Sequence, residues 1–99
     1  MSVMANDLTR FANDVFTFAG TCQSLRTAYE DLGSSMDKLQ GMWTGEAHDT
    51  LMANFQADYR QLEQLVLFLE GTKGALDEAL GGYKTCEQNV TAKIDAIRV

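Results

Sequence analysis

Proline is absent from the 99 residues, and histidine and tryptophan occur once each. Because proline interrupts helices and is common in the turns of β-rich proteins, its absence favours long, uninterrupted helices. The two cysteines are too few for a disulfide scaffold, and they do not form the spacing of a zinc site. The single histidine has no identifiable nucleophilic partner, so we expect no catalytic activity. We also expect no metal and no cofactor.

Basic residues are scarce. Eight lysines and arginines against 14 acidic residues give a net charge of −6 and a pI near 4.5. An acidic chain gains nothing from counterion release on DNA or from anionic lipids, so nucleic acid and membrane surfaces are not expected partners. The longest fully apolar run spans only 65–69, so we expect no stable membrane insertion. The start lacks a basic segment followed by an apolar run, which argues against a Sec-type signal peptide.

Apolar residues, in contrast, are abundant and regularly spaced. In each half of the chain they recur three and four positions apart, which lines one side of an α-helix and suits coiled-coil packing. The first stripe contains Leu8, Phe11, Val15, Phe18, Cys22, Leu25, Tyr29, Leu32, Met36 and Leu39. The second contains Phe55, Tyr59, Leu62, Val66, Leu69, Leu76, Leu80, Tyr83, Val90, Ile94 and Ile97, interrupted by Lys73 and Glu87. The pattern predicts helices over about 5–41 and 46–97.

The segment between the two stripes has the composition of a tight reversal. Gly41 and Gly45 can adopt the backbone angles that a short helix–helix turn requires. Glu46 and Asp49 then place negative charge on the first turn of the second helix, where the helix dipole favours it. We therefore predict one all-α domain over 1–99, an antiparallel helix-turn-helix hairpin with its turn at 42–45. Glycines destabilise helices, so a bend or fraying is expected at 81–82.

Further apolar residues lie outside the two stripes. Phe16 widens the first helix's apolar face, and the run 65–69 surrounds the second helix. A lone hairpin would leave these side chains in water, whereas pairing two hairpins into a four-helix bundle would bury them. We predict a dimer, and favour a homodimer because no block of like charge opposes self-pairing. Its predicted core comprises Leu8, Phe11, Val15, Phe18, Leu25, Leu32, Phe55, Leu62, Val66 and Leu69.

The position of the turn also predicts which residues face each other. With the turn centred near 43–44, the numbers of facing residues should total about 87. Lys73 would then face Asp14, Tyr83 would face residue 4, and Glu87 would lie beyond the start of the first helix.

The same register keeps Cys22 away from Cys86, so we expect two free thiols, with Cys86 the more exposed. His48 lies close to acidic residues in the sequence, which could suggest a metal site. Metal sites in helical bundles also need matching ligands on a second helix, and the sequence does not supply them. We expect His48 to be a surface or turn-packing residue.

Two short motifs point to a known family. Trp43-Thr44-Gly45 reads W-x-G and lies mid-chain between the two helical patterns, while Tyr83 to Glu87 fits Y-x-x-x-[D/E]. Together with the length, the acidic charge and the hairpin plan, they resemble the WXG family of small type VII secretion substrates, the early-secreted-antigen-like proteins. The resemblance covers the whole chain. It implies that Trp43 and Gly45 form the turn motif and that Tyr83 and Glu87 belong to a C-terminal secretion signal.

The resemblance also implies partners and a location. The expected partners are a second copy or a related WXG-type protein, and the type VII secretion ATPase. If two hairpins pack head to tail, Trp43 of one chain lies beside Tyr83 and Glu87 of the other. The protein would be secreted, virulence-associated and present in the cytoplasm before export.

Two other interpretations remain open from the sequence. In one, the chain is an intracellular adaptor or targeting chaperone that pairs with a larger type VII toxin. In the other, it is an unrelated structural coiled-coil module, in which Trp43 and Tyr83 are packing residues only.

Overall fold

The fold is built from two long α-helices. The computed structural model describes the backbone of residues 2–97 and the side chains of residues 5–97. Helix α1 spans Ser2–Met42 and helix α2 spans Glu46–Ile97, with no strand among the residues described. The all-α class with two long helices is therefore confirmed. Residues 1, 98 and 99 of the predicted domain lie outside the described part.

The turn between the helices consists of residues 43–45. Gly45 has a φ of 119°, a region that residues with a Cβ rarely occupy. The Asp49 backbone N–H donates to the Gly45 carbonyl at 3.0 Å and so begins the first turn of α2. Glu46 and Asp49 supply the predicted negative charge in that turn. Of the two glycines predicted to make the reversal, only Gly45 has a positive φ, since Gly41 remains within α1.

The second helix passes through its paired glycines without interruption. Gly81 and Gly82, where the sequence predicts a bend or fraying, both lie within helix α2. Thr85 Oγ1 donates to the Gly81 carbonyl at 3.0 Å, as a helical threonine does to the carbonyl four residues earlier. The unfavourable propensity of two glycines is therefore offset within a 52-residue helix.

The chain packs as two units, and each helix contributes a segment to both. The turn unit comprises Thr21–Glu70, and the terminal unit comprises Met1–Gly20 with Gly71–Val99. In the turn unit, antiparallel segments of α1 and α2 form a helical hairpin. Its buried side chains, among those described, are Cys22, His48, Met52 and Val66. In the terminal unit Val15 is buried, and the Phe11 ring packs edge-on against Tyr83 with centroids 5.8 Å apart.

The predicted core residues differ in their burial. Val15 and Val66 are buried, whereas Leu32 is exposed. The remaining predicted core residues are half-buried: Leu8, Phe11, Phe18, Leu25, Phe55, Leu62 and Leu69. Each apolar stripe therefore faces the other helix along one edge and keeps part of its surface in water.

The predicted register between the helices agrees with one contact and fails at another. Contacting residues should total about 87; Tyr29 and Tyr59 total 88, whereas Phe11 and Tyr83 total 94. In an α-helix, side chains lean towards the N-terminus of their own helix. In an antiparallel pair, two side chains that touch therefore start from positions further along their helices than two residues whose Cα atoms lie at the same level. The numbers of the touching residues then give a larger total.

Tyr83 contacts Phe11, while residue 4, its predicted partner, has its side chain outside the described part of the chain. Glu87 lies one turn further along α2 and is half-buried. Lys73 forms an ion pair with Asp77 of its own helix at 3.2 Å, so its charge is balanced there and not at Asp14.

Candidate protein-interaction site

The W-x-G turn carries a partly exposed aromatic side chain, Trp43, which packs against a residue of the hairpin. Trp43 is 39% exposed, and its ring meets the ring of His48 edge-on, with centroids 5.4 Å apart and planes at 79°. Edge-on packing of this kind is a favourable arrangement of aromatic rings. One part of the indole therefore contacts the hairpin and the rest is available to a partner.

His48 is buried beneath this turn. It is 7% exposed, and its Nδ1 lies 3.1 Å from Asp49 Oδ1, while Nε2 is buried without a hydrogen-bond partner among the described residues. Of the two places expected for this histidine, the structure shows turn packing. His48 and Met52 are buried although both lie outside the two predicted stripes. Extending the stripe backwards from Phe55 by three and then four residues identifies both.

A glycine allows a close approach between the helices in the turn unit. The Tyr59 ring packs against Gly33, and a Cβ at Gly33 would overlap the Tyr59 hydroxyl and lie 3.1 Å from Cζ. That hydroxyl donates to the Tyr29 carbonyl at 2.9 Å, and the two tyrosine rings stack with centroids 4.4 Å apart. The absence of a side chain at Gly33 therefore permits the tyrosine stack, which the spacing of apolar residues does not predict.

A groove of about 380 Å³ lies beside Gly33 on the turn unit. Its lining is mixed, with carboxylates and amides as well as apolar side chains. The lining residues are Glu30, Gly33, Ser34, Met36, Asp37, Gln40, Met52, Phe55, Gln56 and Tyr59.

A forked ion pair joins the helices at the other end of the turn unit. Arg26 Nη2 and Nε donate to the two carboxylate oxygens of Glu70 at 2.7 and 3.0 Å. These hydrogen bonds lower the pKa of Glu70 and raise that of Arg26. Arg26 also lies 5.6 Å from the centre of the Tyr29 ring. Two-point pairing fixes direction as well as distance, so it helps to set the register.

Tyr29 links this ion pair to the tyrosine stack. Its hydroxyl donates to Glu63 Oε2 at 2.9 Å. Burial raises the pKa of Tyr29, and its hydrogen bonds with Tyr59 and Glu63 raise it further, so the phenol stays protonated at neutral pH.

One side of the turn unit is lined by exposed apolar residues. On each helix, the residues that face the other helix form a row, which we call the contact row; it includes Gly33, Met52 and Val66. Leu32, Leu51 and Leu65 each come directly before one of these residues. In an antiparallel pair, positions that precede the contact row on both helices lie on the same side. The leucine side, as we call it, comprises Leu25, Leu32, Leu39, Leu51, Leu65 and Phe68; all are exposed except Leu25, which is half-buried.

The opposite side of the turn unit is polar. Residues that follow the contact row include Thr27, Ser34, Arg60 and Leu67. Leu67 is as exposed as Leu65, at 52% against 49%, but its helical neighbours on that side are polar. The two sides thus differ in the continuity of their apolar surface.

The second motif lies in the terminal unit. Tyr83 is 59% exposed despite its contact with Phe11, and Glu87 is half-buried. Four residues apart, the two side chains project from the same face of α2. Cys86 is exposed and Cys22 is buried, and both thiols are free, as expected.

Within the described residues, no group of three metal-ligating side chains occurs, and neither helix has an apolar segment long enough to cross a membrane. Comparison of the chain with protein-family models, curated proteins and solved structures finds no match.

Proposed function

We propose that the chain is a small secreted helical-hairpin protein, exported by a type VII secretion system and acting through protein–protein contacts. The observation that carries this proposal is the position of the W-x-G motif. It occupies the entire non-helical segment between α1 and α2, with a positive φ at Gly45 and a partly exposed indole at Trp43. The resemblance to the WXG family rests on a motif at this place in the chain.

The Tyr83–Glu87 motif supports the same proposal. A signal that another protein recognises needs accessible side chains in a fixed arrangement. Tyr83 is exposed on a continuous helix, and Glu87 stands one turn away on the same face. The secretion ATPase is the proposed reader of this motif.

A second copy of the chain is the proposed partner on the leucine side. Contiguous apolar surface of this kind on a soluble protein marks an interaction site. Asp58 is the one charged residue at the corresponding positions of α2 between Leu51 and Leu65. Two copies can therefore meet there without placing many of their acidic residues in contact, and four helices would enclose the leucines.

Export is tested by single substitutions in a bacterium that carries a type VII system. Trp43→Ala, Gly45→Ala and Tyr83→Ala should each reduce the amount of protein in the culture supernatant, measured by immunoblot against the cell pellet. Gly41→Ala is the control for Gly45→Ala, because Gly41 is helical and has open space around it. Thr91→Ala, an exposed position on the same helix as Tyr83, is the second control.

Normal export of all three motif variants would contradict the proposal. Retention of the wild-type chain inside the cell, in complex with a larger helical protein, would favour the adaptor interpretation instead.

Self-association is tested by a matched pair of substitutions on the two sides of the turn unit. Leu65→Glu should convert the dimer to a monomer, because it buries a charge in the leucine side. Leu67→Glu introduces the same charge at equal exposure on the polar side and should leave the dimer intact. Sedimentation equilibrium at micromolar concentration measures both. A folded wild-type monomer under these conditions would contradict self-pairing.

A further inference from the structure

The strongest unexplained feature of the turn unit is the imidazole of His48. Its Nε2 atom is buried and has no hydrogen-bond partner among the described residues. A buried polar atom without a partner lowers stability, and an apolar side chain at this place would avoid that cost. Packing alone therefore does not account for a histidine here.

The contacts of His48 relate it to the turn motif. Its ring stands edge-on to Trp43, at 5.4 Å and 79°. The other nitrogen, Nδ1, lies 3.1 Å from Asp49 Oδ1, which restricts rotation of the ring. The backbone N–H of Asp49 in turn donates to the Gly45 carbonyl at 3.0 Å. The imidazole is thus held in one orientation by the same turn that carries the indole.

We infer that His48 is a positioning residue for Trp43: its ring supports the indole in the orientation that a partner reads. His48 itself is too buried to touch a partner, so its effect on recognition passes through Trp43. This inference rests on the proposed role of Trp43 in recognition. The orientation of the indole, however, can be measured separately from export.

The composition of the chain makes this measurement direct. Trp43 is the single tryptophan and His48 the single histidine, so indole fluorescence reports on one site in the full-length protein. The variants are His48→Leu, which removes the ring but remains apolar, and His48→Phe, which keeps a ring and removes the unpartnered nitrogen. Thr50→Ala, an exposed neighbour on α2, is the control.

We expect His48→Leu to increase quenching of Trp43 by acrylamide and to shift its emission to longer wavelength. The ratio of docked to undocked indole should fall about two- to tenfold, the range that one aromatic pair supplies. His48→Phe should keep the wild-type emission and quenching and melt at or above the wild-type temperature. Thr50→Ala should match the wild type in all three measurements. Circular dichroism checks that each variant stays helical, and His48→Asn replaces His48→Leu if the latter unfolds.

Wild-type fluorescence in His48→Leu would overturn the inference. Equal changes in the Leu and Phe variants would also overturn it, because the ring contact would then not be the cause. Measuring the export of the variants distinguishes a failure of this inference from a failure of the proposed function. If the indole shifts as expected while His48→Leu and Trp43→Ala are both exported normally, the positioning role stands and the recognition role of Trp43 fails.

Discussion

The turn unit and the terminal unit are built from the same two helices but are held together by different means. Of the five side chains that are buried among those described, four lie in the turn unit: Cys22, His48, Met52 and Val66. The turn unit also has a forked ion pair and a tyrosine stack between its helices. The terminal unit has Val15 and an aromatic contact whose tyrosine remains largely exposed.

The surroundings of the glycines also differ between the two units. In the turn unit, Gly33 is required by the ring that packs against it. In the terminal unit, the spaces that side chains would occupy at Gly20, Gly71, Gly74, Gly81 and Gly82 are all open. One unit uses a glycine to bring its helices together, and the other contains glycines that lower helix stability without a packing benefit. Among the residues that the structure describes, the turn unit therefore has more of the buried side chains and inter-helix polar contacts given above.

The largest expected effect comes from shortening a valine in each unit. Val66 is 1% exposed in the turn unit, whereas Val90 is half-buried in the terminal unit. Val66→Ala should lower the free energy of unfolding by about 2–3 kcal/mol, because it removes buried methyl groups and leaves a cavity. Val90→Ala should cost about 1 kcal/mol or less. Urea denaturation followed by circular dichroism measures both, and an equal loss in the two variants would remove the distinction between the units.

Replacing glycines should change stability in opposite directions. Gly33→Ala forces the Tyr59 ring away from α1 and should lower the free energy of unfolding by about 1–2 kcal/mol after the gain in helix propensity. Gly81→Ala meets no neighbouring atom and should raise the free energy of unfolding by about 1 kcal/mol. Thermal melts of the two variants provide the comparison. A stabilised Gly33→Ala would show that the close approach of Tyr59 is not required.

The tyrosine hydroxyl in the turn unit should have a smaller effect. Tyr59→Phe loses the hydrogen bond to the Tyr29 carbonyl and should cost about 1 kcal/mol. Tyr83→Phe is the matched change in the terminal unit, at an exposed hydroxyl, and should leave the free energy of unfolding within about 0.5 kcal/mol of the wild type. The same urea denaturation distinguishes them.

The smallest expected effect belongs to the partly exposed Arg26–Glu70 pair, and it depends on pH. Because the pKa of Glu70 is lowered in the folded chain, the pair contributes stability above the ordinary glutamate pKa and loses it as the pH falls through the lowered value. Arg26 stays charged throughout. Glu70→Gln should therefore lower the melting temperature at pH 7, and its difference from the wild type should shrink between pH 5 and pH 3. A constant difference across that range would mean that the charge of Glu70 is not involved.

The sequence predicted the two helices and the turn because these depend on local patterns. Spacing of three and four residues identifies a helix face, and a glycine between two such stripes identifies a reversal. Burial within the single chain is harder to predict. Leu32 belongs to the first stripe but is exposed in the single chain, because the adjacent Gly33 provides the contact with Tyr59; its burial in a dimer stays a prediction. His48 continues the second stripe towards the turn, but the predicted stripe begins at Phe55.

The register between the helices could not be read from the position of the turn alone. It depends on the lean of side chains along each helix and on long side chains that reach across. Arg26 and Glu70 total 96, well above the predicted 87, because both extend far from their backbones before they meet. The tyrosine stack depends on a glycine at one position, and hydrophobic spacing gives no information about such a fit. The proposed roles of Trp43 and Tyr83 in recognition remain predictions.

The two cysteines give this chain a built-in measure of how its packing opens. Cys86 is exposed, while Cys22 is buried with its Sγ 3.7 Å from the Leu69 carbonyl on the facing helix. A thiol reagent added to the unaltered protein should modify Cys86 promptly and Cys22 only when the helices of the turn unit separate. The slow phase of labelling, followed by mass spectrometry of the intact chain, would then give the opening rate without any substitution or attached probe.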